Sequence, residues 1–159
     1  MEVHNIAPVY DENSKILILG SFPSVKSREQ KFFYGHPQNR FWKVISAITN
    51  SKEPETVEEK KSLLLNNKVA VWDVIKSCDI KGSSDSSIEN VVINDFSIIF
   101  DNANIQKIYA NGDKAYSLFK KYYSKDIKII KLPSTSPANA QYNLEKLCNE
   151  WRQIFDGIN

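Results

Sequence analysis

The chain has 159 residues, 42% hydrophobic and 25% charged, and a formal net charge of +2. That length fits one domain, residues 1–159, able to bury a core without disulfide or metal staples. So small a charge does not by itself name a nucleic-acid partner. With only His4 and His36, no CxxC pair and no His-x-Glu string, a multi-histidine centre, an iron–sulfur site and a zinc-deaminase site are excluded.

The opening residues, MEVHNIAPVYDENSK, are acidic and polar, unlike a secretion signal. KILILGSF (15–22) is a continuous apolar run ending near a glycine, the pattern of a buried parallel strand. Lys26, Arg28 and Lys31 follow it as a small basic cluster, read as a solvated face. Then comes YGHPQNRFW (34–42), which sets a tyrosine, a histidine and two amides at the threshold of an apolar helical face. Phe41, Val44, Ile45 and Ile48 keep i, i+3, i+4, i+7 spacing and predict a helix over 39–49. A second helix is expected over 54–66, with Pro54 at its first position.

VAVWDVI (69–75) predicts the second strand, and KGSSDSSIEN (81–90) a serine-rich loop. FSIIF (96–100) reads equally as a helix end or a short strand. QKIYAN (106–111) is the third strand, and Ala115, Leu118, Phe119 and Tyr122 mark the helix after it. Lys120, Lys121, Lys125, Lys128 and Lys131 gather near the fourth strand, DIKIIKLP (126–133), which Pro133 halts. Leu144, Leu147, Cys148, Trp151, Ile154 and Phe155 mark a final helix. Cys78 and Cys148 are expected to be buried free thiols. No apolar run is long enough to cross a bilayer, so a soluble, cytoplasmic protein is expected.

Strands alternating with helices imply a three-layer α/β/α domain around a central, mostly parallel four-stranded sheet. Ligands of such folds bind beyond the carboxyl ends of the strands. That rule selects Gly20–Gln38, the loop after Val74, Asn111–Lys114 and Leu132–Tyr142. Asn39, at the end of the first of these, suits two duties. It can cap the helix that follows, or its amide can present a donor and an acceptor to a ligand.

GSFPS (20–24), FFYGHPQNRFWKVI (32–45) and LPSTSPAN (132–139), in that order at the strand ends, resemble the uracil-DNA glycosylase superfamily. With WDVIKSCDIKGSSDSSI (72–88) added, the set is most similar to its hypoxanthine-DNA glycosylase branch, family 6. The likeness runs from about residue 15 to the C-terminus. It implies a metal-free, cofactor-free monofunctional enzyme that flips a deaminated base, hypoxanthine first, out of DNA. Water then cleaves the N-glycosidic bond and leaves an abasic site.

The resemblance implies catalysis by Asn39 and a base pocket built from Gly20, Ser21, Phe22, Pro23, Tyr34 and Asp73, with Tyr34 stacking on the base. It places DNA contacts at Ser24, Lys26, His36, Ser134, Thr135, Ser136 and Asn139, and it suggests a monomer. Two positions depart from the family pattern. Phe22 stands where uracil-removing members carry Asp or Asn, and Leu132 where they carry His or Asn. Three rivals stand beside this reading: a uracil- or mismatch-directed glycosylase, which Phe22 weakens; a non-catalytic DNA-binding module on the same fold, which Phe22 and Leu132 favour; and a small-molecule-binding α/β protein.

Overall fold

The computed structural model describes residues 1–123 and 125–158. Its strands are Glu2–Val3 (β1), Ile16–Gly20 (β2), Val69–Asp73 (β3), Ile75–Asp79 (β4), Glu89–Ile93 (β5), Lys107–Asn111 (β6) and Ile130–Leu132 (β7). Its α-helices are Val25–Gln30 (α1), Phe41–Ile48 (α2), Val57–Asn66 (α3), Ser97–Phe100 (α4), Asp113–Tyr122 (α5) and Leu144–Trp151 (α6). The central sheet has the order β3-β2-β6-β7 and is parallel throughout. Every residue of β2 and β3 is buried, as strands covered on both faces must be. The three-layer α/β/α architecture and the four expected strands are therefore present.

The register pairs Gly20 of β2 with Asp73 of β3, so both strands end at one level beside Asn111 and Leu132. Helix α2 begins where the amphipathic pattern does, and it packs against α6. Helix α3 starts later than Pro54. Its cap is Thr56, whose hydroxyl accepts the Glu59 N–H while the Glu59 carboxylate accepts the Thr56 N–H. That reciprocal box satisfies two first-turn donors, which Pro54 has no means of doing. FSIIF resolves as the single helical turn α4, preceded by Asp95, whose carboxylate accepts the Ser97 N–H.

A second sheet, β1-β4-β5, is antiparallel and has no counterpart among the expected strands. The run 69–75 divides at Val74, where the Val74 and Ile75 N–H groups donate to the Gly20 and Ser21 carbonyls. Asn94, buried, donates its side-chain amide to the Asp73 and Ile75 carbonyls across that bend. Two register shifts interrupt the β4–β5 ladder, so Ile75 and Cys78 are both buried although three residues apart. That spacing hides the period-2 signal of a strand. The serine-rich loop consequently ends early, its last residues entering β5.

The polar N-terminus is an integral edge of the fold. β1 pairs with β4, the His4 N–H donates to the Lys76 carbonyl at 2.7 Å, and Val9 exchanges both backbone hydrogen bonds with Val71. Each of the three tryptophans donates its indole N–H to a carbonyl of a different connecting segment. Trp42 bonds Phe33, Trp72 bonds Ile6 and Trp151 bonds Pro133, at 3.2, 3.3 and 2.9 Å. The core thereby holds three site-bearing segments through buried donors that also need partners. Cys78 and Cys148 are buried and unbridged, and burial pushes both thiols up from their ordinary pKa. Among the described residues no helix is long and apolar enough to cross a membrane.

Candidate functional site

A cavity of about 300 Å³ opens at the carboxyl ends of the parallel strands. All four loops selected by the strand-end rule contribute to its lining. Its volume is that of a small-ligand site. Nineteen residues border it, and what they can do depends on three hydrogen-bonded groups.

The first group holds Asn39. Its Oδ1 accepts the N–H of Phe41, the first residue of α2, at 2.9 Å, and the Thr135 hydroxyl at 2.8 Å. Thr135 is fully buried, and its own Oγ1 accepts the Asn111 amide at 3.0 Å. Asn111 returns the bond through Oδ1, which accepts the Thr135 N–H at 3.0 Å. The two readings of Asn39 thus meet in one side chain. The oxygen satisfies a helix-terminal donor, and the relay fixes which way the amide faces. Both Oδ1 acceptor sites are engaged, so the NH₂ is the end left for a ligand, as a donor only.

The second group holds the loop 134–139. Arg40 donates from its guanidinium to the carbonyls of Ser136 at 2.8 Å, Asn139 at 3.1 Å and Tyr142. Its backbone N–H donates to the Thr135 carbonyl. The Ser134 hydroxyl accepts the Ser136 N–H, the Ser136 hydroxyl accepts the Ala138 N–H, and the Asn139 amide donates to the Ser134 carbonyl. A planar, multiply donating guanidinium suits this task, and a lysine ammonium does not replace it. Asn139 therefore shapes the loop from behind, outside the cavity lining.

The third group forms the buried end. Asp73 is 3% exposed, and its Oδ2 lies 2.8 Å from the Nε2 of His4. A Cβ added to Gly20 would stand 2.4 Å from Asp73 Oδ1 and 3.2 Å from the Tyr34 hydroxyl. Glycine at position 20 is thus a requirement of space, set by a carboxylate directly above it. Gly20→Ala is expected to displace Asp73 and to destabilise the fold by about 1–3 kcal/mol, read from denaturant midpoints.

Tyr34 sits at φ +53°, a left-handed conformation uncommon for an aromatic residue. Its ring stacks on Phe41 with centroids 4.0 Å apart, and its buried hydroxyl makes no hydrogen bond of normal geometry, although the Asn111 side chain is near enough to oppose the rise in its pKa. Burial first, and the negative charge of Asp73 second, hold that phenol protonated by raising its pKa. The buried end therefore carries a fixed acceptor, Asp73, and a protonated phenol, Tyr34.

At the mouth, Ser21 donates its hydroxyl to the Asp85 carboxylate at 2.9 Å. Asp85 belongs to a solvent-facing 3₁₀ turn of the serine-rich loop. Desolvation of the carboxyl raises its pKa above the ordinary range, opposed by the Ser21 hydroxyl and Lys114. Ser24 caps α1, and His36 Nδ1 accepts the Gln38 N–H. Lys26 lies outside the lining, exposed and 3.7 Å from Glu29. Arg28 is occupied by Glu2 and by the carbonyls of Gly82 and Ser24, so it ties protein segments together.

A model of the uracil DNA glycosylase superfamily matches residues 7–157. The chain belongs to that superfamily. A hypoxanthine DNA glycosylase of Methanosarcina acetivorans is 36% identical over 151 residues, covering 92% of this chain and 94% of the relative. One from Methanosarcina barkeri is 34% identical over 159 residues, covering 98% and 99%. A solution NMR structure of a Methanosarcina acetivorans protein, proposed to be a uracil DNA glycosylase, superposes with a TM-score of 0.78. It is 32% identical and covers 94% of this chain and 96% of its own.

Set in the superfamily pattern, the two apolar departures have different fates. Leu132 is buried at the end of β7, away from the cavity. Phe22 is also buried but lines the cavity, edge-on to His4 at 6.0 Å. The polar groups that do border the cavity include Asn111 and Asp85, with His4 immediately behind Asp73. Sequence reasoning assigned none of these three a role. The strand-end rule points at Asn111. Nothing in local spacing points at His4, which reaches the site from 69 residues away.

Proposed function

We propose that this superfamily member is a monofunctional DNA glycosylase of base excision repair that hydrolyses the bond between hypoxanthine and deoxyribose. The observation that carries the reading is the relay through Asn111 and Thr135, which leaves the Asn39 amide as a dedicated donor in the cavity. The names borne by the two Methanosarcina relatives support the same substrate. The flipped base enters the cavity, and Gly20, Ser21, Phe22, Pro23 and Tyr34 wall it. Asp73 accepts the ring N–H. Ser24, His36, Ser134, Thr135, Ser136 and Asn139 form or shape the surface toward the DNA backbone, and Lys26 adds charge at its margin.

In the reaction, the bond from the sugar C1′ to the base nitrogen breaks and its electron pair leaves with the base. The oxygen of a water molecule bonds to C1′. The Asn39 NH₂ stabilises the charge that develops on the base, a contact that strengthens only as the bond lengthens. Phe22 and Leu132 have no means of activating water. Asp85, at the mouth, accepts the water proton. The proton is later passed to solvent and the departing base is protonated, leaving free hypoxanthine and an abasic site.

The test is incubation with end-labelled duplexes carrying one hypoxanthine or one uracil, followed by alkali to cleave abasic sites. Hypoxanthine-dependent cleavage, falling steeply with salt as phosphate contacts weaken, is the expected result. Cleavage of uracil alone would transfer the assignment to a uracil-directed enzyme. Damage-selective binding without cleavage would reduce the protein to a DNA-binding module.

A further inference from the structure

We infer that His4, in the N-terminal arm, is a positioning residue that makes Asp73 a fixed hydrogen-bond acceptor. The pair thereby selects bases carrying a ring N–H beside a carbonyl. This inference rests on the excision reading above and narrows it to a substrate class. Deamination of adenine or cytosine converts a bare ring nitrogen and an amino group into a ring N–H and a carbonyl. Hypoxanthine and uracil carry that lactam edge, and their parents adenine and cytosine lack it. An acceptor-only carboxylate welcomes the first set and repels the bare nitrogen of the second.

The geometry settles the His4 tautomer. Nδ1 accepts the Ile6 N–H at 3.2 Å, so the ring proton lies on Nε2 and is donated to Asp73 Oδ2 at 2.8 Å. Protonating Nδ1 as well would set it against the Ile6 N–H. The His4 and Asp73 side chains are 3% and 5% exposed. Phe22, Phe33 and Trp72 surround the imidazole with ring centroids 6.0, 6.1 and 6.3 Å away. With both side chains almost wholly enclosed, the His4 bond holds the carboxylate with Oδ1 over Gly20, where Asp73 borders the cavity.

The arm cannot drift. On one side the His4 N–H bonds the Lys76 carbonyl, and on the other Trp72 bonds the Ile6 carbonyl and Val9 pairs with Val71. The Tyr34 hydroxyl crowds the same space, 3.2 Å from where a Cβ on Gly20 would stand, with Asp73 Oδ1 at 2.4 Å. The acceptor for the lactam N–H is therefore Asp73, held from behind by His4.

The experiment compares single-turnover excision of hypoxanthine with excision of unsubstituted purine, which has a bare N1 and no carbonyl, from otherwise identical duplexes. His4→Gln and His4→Asn are both polar, and only the glutamine amide reaches as far as Nε2. Wild type is expected to prefer hypoxanthine. His4→Asn should narrow that preference at least about 10-fold, since a site built around a hydrogen bond loses discrimination with it. His4→Gln should recover most of the preference. In an Asp73→Ala background the two substitutions should become indistinguishable. Equal losses on both bases, or equal behaviour of Gln and Asn with Asp73 intact, would overturn the role of His4 while leaving excision standing. Failure of wild type to excise hypoxanthine would overturn the excision reading itself.

Discussion

Asn39→Ala is expected to lower kcat for hypoxanthine excision about 10²–10³-fold, the usual cost of removing one donor from a developing anion. KM should change little, because the amide acts on charge that is absent from the bound substrate. Stability should fall as well, by about 1–3 kcal/mol for each group left unpaired, because the substitution strands the Phe41 N–H and the Thr135 hydroxyl, both on residues with no exposed surface. Asn39→Asp separates the two duties of the residue. The carboxylate still accepts both hydrogen bonds, so the fold is retained, but an oxygen now faces the departing base where a donor is required. Its rate should be no better than that of Asn39→Ala. Thr135→Val tests the relay. The amide loses its fixed orientation but remains present, so a smaller loss, about 10-fold, is expected. Wild-type rates in both Asn39 variants would remove this residue from the chemistry.

The parallel sheet was legible because β2 and β3 are uninterrupted apolar runs and its four strands close at Gly20, Asp73, Asn111 and just before Pro133, and the strand-end rule then located the cavity. The antiparallel sheet was hidden by irregularity. β1 is two residues of an unremarkable polar tail, and bulges break the alternation in β4. At the site, Asn39 stood out because an amide before an apolar helical face needs an explanation. The amide's orientation was not legible. It depends on Thr135, 96 positions away, which looks like part of any turn between prolines. His4 was invisible for the same reason: its role arises only when the arm is laid along β3 and β4. Local spacing exposes residues that act through the backbone around them. It does not expose residues that act through one another.

Asp85→Asn is expected to lower the excision rate about 10²–10⁴-fold, the range for loss of a general base, and to flatten the acidic limb of the pH–rate profile. The wild-type limb follows from the pKa direction. Desolvation raises the Asp85 carboxyl above the ordinary carboxylate range, with Ser21 and Lys114 pulling it down and Asp73 adding to the rise. A base works only without its proton, so the rate should climb with pH and level off above that raised pKa. Stability should move the other way. The folded state holds this proton more tightly than the unfolded chain. The contribution of Asp85 therefore declines as pH rises from its unfolded pKa through its folded one. Asparagine keeps an acceptor for the Ser21 hydroxyl and carries no charge. Because Asp85 lies on an exposed turn where solvent screens the effect, Asp85→Asn should melt no lower than, and at most slightly above, wild type above that window, with the difference closing below it. Rate lost without loss of stability would mark a charge kept for chemistry rather than for the fold. Rate and stability lost together would reassign Asp85 to anchoring the serine-rich loop through Ser21, and the water proton would need another acceptor.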